Sequence, residues 1–232
     1  MRLLRTVKND IRYQARYGFY LIYAILTVLY IFVLSLIDHP QARSLAAALV
    51  LLSDPAVLGF FFIGGIWLLE KDEDLHSYAA ITPQRHGEYV LGKAVSLGLI
   101  STLAATVICL AGVPGANLPL LAAAVFLASG VFTLTGLVLA TMAKSVNGYM
   151  LVSVLPAMVL LTPAVLTAFG VEHIVFEWFP GTMALRLIWA ALDGVSQANG
   201  TALQLVGLAA WCILLFDAAQ AAVARKSRPK GG

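Results

Sequence analysis

The sequence predicts an all-α polytopic membrane protein with six transmembrane helices, an N-terminal interfacial helix, and an outer re-entrant hairpin before the sixth span. Three observations lead there. Of 232 residues, 60% are apolar and only 12% are Asp, Glu, Lys or Arg, against roughly 25% charged in ordinary soluble domains. A soluble fold cannot hide that much apolar surface, and a bilayer removes the need to hide it. Stretches with no ionisable Asp, Glu, Lys, Arg or His run for 21 residues from Tyr17, 50 from Ala94 and 27 from Ser145, where a helical span needs about 20. Alternating segments of about ten residues, the mark of a membrane barrel, are absent, and backbone in lipid must then bond within helices.

Residues 1–16 place Leu4, Val7 and Ile11 on one helical face and Arg5, Lys8, Arg12 and Arg16 around the other. That pattern suits a helix lying in the interface. The first span covers 17–37. Its apolar stretch is longer than that of a secretory leader, and no small-residue cleavage pattern follows it. The second span, 45–69, contains Asp54-Pro55. Starting it at Pro55 would leave about 22 Å of helix before Glu70, too short for a core of about 30 Å, so a kinked span with Asp54 inside the membrane is favoured. Asp54 is then expected to touch a solute or hydrate its pathway.

The 50-residue run divides at Pro114-Gly115-Ala116-Asn117-Leu118-Pro119 into spans 94–113 and 119–142, because two prolines and a glycine break a helix and form a turn. Spans 149–169 and 202–224 follow. Span three carries a small-residue stripe of Ala94, Gly98, Thr102, Ala105, Cys109 and Gly112, a seam for close helix approach. Cys109 and Cys212 both fall in spans and suggest packing rather than a disulfide or metal site.

Thirteen of the fifteen Lys and Arg side chains fall at the N-terminus, in 70–93, at Lys144 or in the tail, leaving Arg43 and Arg186 for the other side. Basic loops stay in the cytoplasm, so both termini are expected there, in a bacterial-type inner membrane. The net charge of +3 fits attraction to an anionic inner leaflet and calls for no nucleic-acid partner.

Chemistry inside the spans is sparse. Spans one, three, four and five hold no ionisable acid, base or His, which weighs against an ion-coupled carrier, though broken helices can bind ions through carbonyls. Gly87 to Ala94 nearly fits a phosphate loop, but Ala94 replaces the magnesium-holding hydroxyl and no strand precedes it. Ser129-Gly130 offers a serine without a base in any span, and all four His residues lie in loops, so hydrolysis is not expected. No cofactor or metal is expected on this chain.

The segment 70–93 opens with Glu70-Lys71-Asp72-Glu73-Asp74, continues with Leu75, Tyr78 and Ile81 at helical spacing, and stops at Thr82-Pro83. A new helix then runs from about Gln84 through Lys93 into span three. Between spans five and six, 171–200 is too polar to span and too apolar to hang free. It carries Phe176, Trp178, Phe179 and Trp189, broken at Pro180-Gly181, which suits a hairpin dipping into the outer leaflet with its Trp side chains at the interface. Glu172 and Glu177 form an acidic pair there.

Glu70 after span two, Thr82-Pro83, Glu88-Tyr89, Gly92-Lys93, and Ser53-Asp54-Pro55 followed by Gly59-Phe60-Phe61-Phe62-Ile63-Gly64-Gly65 resemble type-2 ATP-binding-cassette (ABC) exporter permeases. The nearest style is that of small bacterial drug or fluoroquinolone export permeases. The likeness covers the whole chain, although its 70–93 segment is unusually acidic. The resemblance implies that 70–93 is a coupling loop docking on a separate ABC ATPase through Glu70, Leu75, Tyr78, Thr82, Pro83, Glu88 and Lys93. ATP-Mg would sit on that partner, and a second permease copy or a related permease would complete the pathway. It also implies that Phe176, Trp178, Pro180 and Trp189 belong to a re-entrant element on the exit side. The competing readings are a secondary carrier and a membrane scaffold or assembly factor.

Overall fold

The computed structural model describes residues 2–54, 59–73, 75, 85–113, 115–193 and 198–226. Among these residues all regular structure is helical. Helix α1 (Arg2–Arg16) meets α2 (Phe19–Ser35) at 71°. Gly18 makes the elbow with φ 78°, a left-handed conformation that costs glycine nothing and other residues a great deal. Sequence explains the turn: α1 is polar on most sides and α2 is apolar on all of them, so the two prefer different solvents.

Helix α3 (Pro40–Ser53) begins with Pro40 in its first turn, where a missing N–H is harmless. Its C-cap is Asp54, and α4 (Gly59–Asp72) is the next described element. Each piece has 14 residues, about 21 Å. Helix α5 (His86–Gly112) and α6 (Leu118–Met142) are joined by a turn in which Gly115 has φ 95° and the Asn117 side chain accepts from the Leu120 N–H at 3.2 Å. Ser145 caps α7 (Val146–Ala168) in the same way, accepting from the Gly148 N–H. A 3-10 turn (Ile174–Trp178), α8 (Pro180–Leu192) and α9 (Ala198–Lys226) complete the order.

Among the described residues four helices, α5, α6, α7 and α9, are each long and apolar enough to cross a membrane, and the bent α1–α2 pair makes a fifth candidate. The protein is a multi-pass membrane protein. Helix α6 is the hub, packed against α5, α9, α4 and α8. Leu21, Phe32, Leu151, Leu155, Leu203 and Ile213 on α2, α7 and α9 point outward, as bilayer-facing surfaces require.

The small residues of α5 serve two neighbours. Gly98 lies against the Phe126 ring on α6, and Gly112 against Leu34 on α2. A third close approach joins α4 to α7: the Tyr149 ring occupies the space a Gly64 side chain would need, and its hydroxyl donates to the Phe60 carbonyl at 2.5 Å. Helix α8 is buried on nearly every side, with Met183, Ala184, Leu185, Leu187, Ile188 and Ala191 in the core. Its 13 residues extend about 20 Å, less than the roughly 30 Å apolar thickness of a bilayer.

Candidate functional site

The end of the bundle that carries α1 holds a buried cluster of charges. Lys93, in the second turn of α5, is 1% exposed. Its ammonium donates to Asp10 Oδ1 on α1 at 2.6 Å and to Glu70 Oε1 at the end of α4. Tyr89, one turn earlier on α5, donates from its hydroxyl to Glu70 Oε2 at 2.6 Å. The rings of Tyr89 and Tyr13 stand 5.1 and 5.7 Å from the Lys93 nitrogen, within range of cation–π attraction. Gln14 on α1 donates to Ser96 Oγ on α5 at 2.7 Å. A more exposed layer follows, where Tyr13 and Tyr17 both donate to the Glu73 carboxylate.

Close approach of α1 to α5 depends on Gly92. A methyl there would stand 2.6 Å from Thr6 Cγ2 and 2.8 Å from Asp10 Oδ2, so any side chain would push α1 away and stretch the Lys93 contacts. Asp10 sits in a contested environment. Burial pushes its carboxyl above the usual range while the Lys93 ammonium pulls it back down, and burial is the larger effect. Burial also raises the Tyr13 phenol, helped by the charges of Glu70 and Glu73, so Tyr13 remains a neutral donor.

Two carboxylates around one ammonium keep a negative balance, and a buried charge that loses its partner is costly. The cluster therefore acts as a three-way lock among α1, α4 and α5. Lys93, at the end of the stretch that resembles a phosphate loop, bonds two acids of its own chain.

The coupling residues read from sequence divide into groups. Glu70 and Lys93, 23 positions apart, meet directly. Glu88 caps the start of α5 by accepting from the Arg85 N–H at 3.0 Å. Leu75 is half-buried beyond α4, and Tyr78, Thr82 and Pro83 lie outside the described residues. Asp10 was not anticipated, although it is the only acid before Asp38 and an isolated acid in a basic helix is a usable signal.

At the opposite end, Arg186 on α8 binds Glu177 and lies 3.6 Å from Glu172. The two acids thus share a cation rather than pairing with each other. Gln204 donates to Glu177 Oε2 at 3.3 Å, and the Trp211 indole N–H to the Trp178 carbonyl at 3.1 Å, tying the 3-10 turn to α9. Of the residues assigned to this region, Pro180 is buried, Phe176 and Trp189 are half-buried, and Trp178 is exposed. Asp54 is buried at the end of α3, apart from both groups of charges.

Comparison with known proteins agrees with this architecture. The chain is 33% identical over 158 residues to fluoroquinolones export permease proteins from two strains of Mycobacterium tuberculosis, covering 67% of this chain and 67% of each relative. The model of the fluoroquinolones export permease protein family matches residues 1–226, and the chain belongs to that family.

Proposed function

We propose that this chain is the membrane-spanning subunit of an ATP-driven exporter, working as a pair of permease subunits above a separate ABC ATPase that binds ATP-Mg. Residues 70–93 are the docking segment. The observation that carries this reading is the bond between Glu70 and Lys93. The two ends of the segment are clamped to each other and, through Asp10, to α1, so a force applied between them moves α1, α4 and α5 together.

In this arrangement the six spans are α2, α3 with α4, α5, α6, α7 and α9. Both termini and the Lys93 cluster lie on the cytoplasmic side of the inner membrane, where most basic residues collect. Helix α8 is the re-entrant element on the exit side, too short to span and too well buried to be a surface loop. Fluoroquinolones, for which the relatives are named, are the first solutes to test.

The decisive experiment is purification of the full chain from native membranes. The expected result is a co-purifying ATPase whose turnover depends on residues 70–93, and ATP-dependent drug uptake by inside-out vesicles. Uphill transport by the isolated chain under a proton or sodium gradient would replace this reading with a secondary carrier. Partners that hydrolyse no ATP would replace it with a scaffold.

A further inference from the structure

Independently of what the chain carries, we propose that the contact between α1 and α5 binds a proton. Asp10 is held there as a carboxylic acid whose Oδ2–H donates to Gln14 Oε1, and α1 takes up that proton when it docks. Both oxygens are buried, and neither has a hydrogen-bond partner. They belong to positions 10 and 14 of one helix, neighbours on the same face. Both side chains reach the same stretch of α5, Asp10 at Lys93 and Gln14 at Ser96. Two acceptors cannot answer each other, whereas one proton turns Asp10 into a donor and satisfies both.

The orientation of the Gln14 amide follows from its neighbour. Ser96 Oγ donates to the Lys93 carbonyl at 3.1 Å, so its hydrogen is spent and it accepts from Gln14 Nε2 at 2.7 Å. The amide oxygen is the end left over. Hydrogen bonding also says which acid holds the proton. Glu70 accepts at both oxygens, from Lys93 at Oε1 and from Tyr89 at Oε2, which suits a carboxylate. Asp10 accepts from Lys93 at Oδ1 alone, the part played by the carbonyl oxygen of a carboxylic acid.

Charge and burial favour the same state. Lys93 offers one ammonium to two carboxyls, so a proton on Asp10 leaves Lys93 and Glu70 as a balanced pair. Arg5, Lys8, Arg12 and Arg16 on α1 are exposed, and the described ion pairs give Asp10 no cation but Lys93. Tyr13 and Tyr89 turn their rings to the same nitrogen, and Glu73 is held in the outer layer by Tyr13 and Tyr17. Asp10 Oδ2 packs against Gly92, where a methyl would stand 2.8 Å from it and 2.6 Å from Thr6 Cγ2. A bare carboxylate oxygen against such a wall is costly, and burial pushes the carboxyl above its usual range.

The consequence is a link between pH and the position of α1. When α1 parts from α5, Asp10 meets water and the O–H bond at Oδ2 breaks, releasing one proton per chain to solvent. Docking therefore weakens as pH climbs through the pKa of the docked carboxyl, and is indifferent to pH below the ordinary carboxylate range.

The test is infrared spectroscopy of the full chain in lipid nanodiscs, which needs neither ATPase nor solute. It is run in an Asp54→Asn background, so that another buried aspartate adds no signal. The carbonyl stretch of a protonated carboxyl lies at higher frequency than amide and carboxylate bands. One such band is expected to persist as pH rises above the range in which exposed carboxyls ionise, and to vanish in Asp10→Asn. That variant keeps the contacts, because its amide oxygen accepts from Lys93 and its N–H replaces the acid's O–H toward Gln14. Gln14→Leu should lower the pH at which the band disappears by about one unit, the worth of one hydrogen bond to the neutral form. Amide exchange in α1, corrected for its intrinsic pH dependence, should quicken with rising pH in the parent chain and not in Asp10→Asn. Loss of every carboxyl band within the ordinary range overturns the proposal and assigns the two oxygens to a bridging water. A persistent band that survives Asp10→Asn belongs to another acid and overturns it too. So does an unmoved midpoint in Gln14→Leu, or an equal pH response of α1 in both chains.

Discussion

Lys93 Nζ lies 2.6 Å from Asp10 Oδ1, across 83 residues of sequence. That contact fixes α1 to the first turns of α5, and Glu70 brings the end of α4 to the same nitrogen. Removing the lysine leaves two buried acids facing each other.

Lys93→Met should therefore cost about 3–5 kcal/mol, the range for breaking a buried ion pair from one side. The triple variant Lys93→Met, Asp10→Asn, Glu70→Gln should recover most of it, because no unpaired charge remains. Thermal unfolding in nanodiscs, compared across the two variants, measures this. A triple variant no more stable than the single one would contradict the electrostatic account.

The pH dependence of Asp10 has a defined sign. A carboxyl whose folded pKa is raised stabilises most below its unfolded pKa and loses that contribution as pH climbs through the folded value. Asp10→Asn lacks this loss. Its melting temperature relative to wild type should hence rise as pH climbs upward out of the ordinary carboxylate range. The opposite trend would mean that Lys93 outweighs burial.

Gly64→Ala should be among the most damaging single-methyl changes in the chain, since the new carbon would overlap the Tyr149 ring. Overpacking costs about 1–3 kcal/mol or more. Combining it with Tyr149→Leu should recover part of the loss by vacating the space, although the bond to the Phe60 carbonyl goes too. Yield of monodisperse protein and melting temperature report both effects.

Arg186→Ala removes the ion pairs to Glu177 and Glu172 and leaves the Gln204 and Trp211 contacts between the 3-10 turn and α9. Because Arg186 is partly exposed, global stability should fall by no more than about 1 kcal/mol. The local effect should be larger. Amide exchange in residues 174–179 should quicken several-fold while exchange in α6 stays unchanged.

Much of this was legible from one-dimensional pattern. The apolar run from Ala94 to Ala143 and the breakers between Pro114 and Pro119 foretold two long helices and their turn. The basic face of residues 2–16 foretold a helix set apart from the one after it, and Gly18 with its positive φ marks where they part. Asp54-Pro55 led to the expectation of a kinked second span, and Pro55 lies outside the described residues. These signals are local: each depends on hydropathy over one or two turns, or on the dihedral freedom of a single residue.

The chain's composition determined its solvent and its helical class, because partition into lipid sums over residues wherever they fold. Only the tertiary structure decided that Asp10, Glu70 and Lys93 converge, that Arg186 bridges two acids, and that Asp54 is buried with an oxygen unanswered. Those facts depend on which helices become neighbours, and that is selected by side-chain shape at places such as Gly92 against Thr6 and Gly64 against Tyr149, where contact falls off over fractions of an ångström and leaves no periodic trace in the sequence.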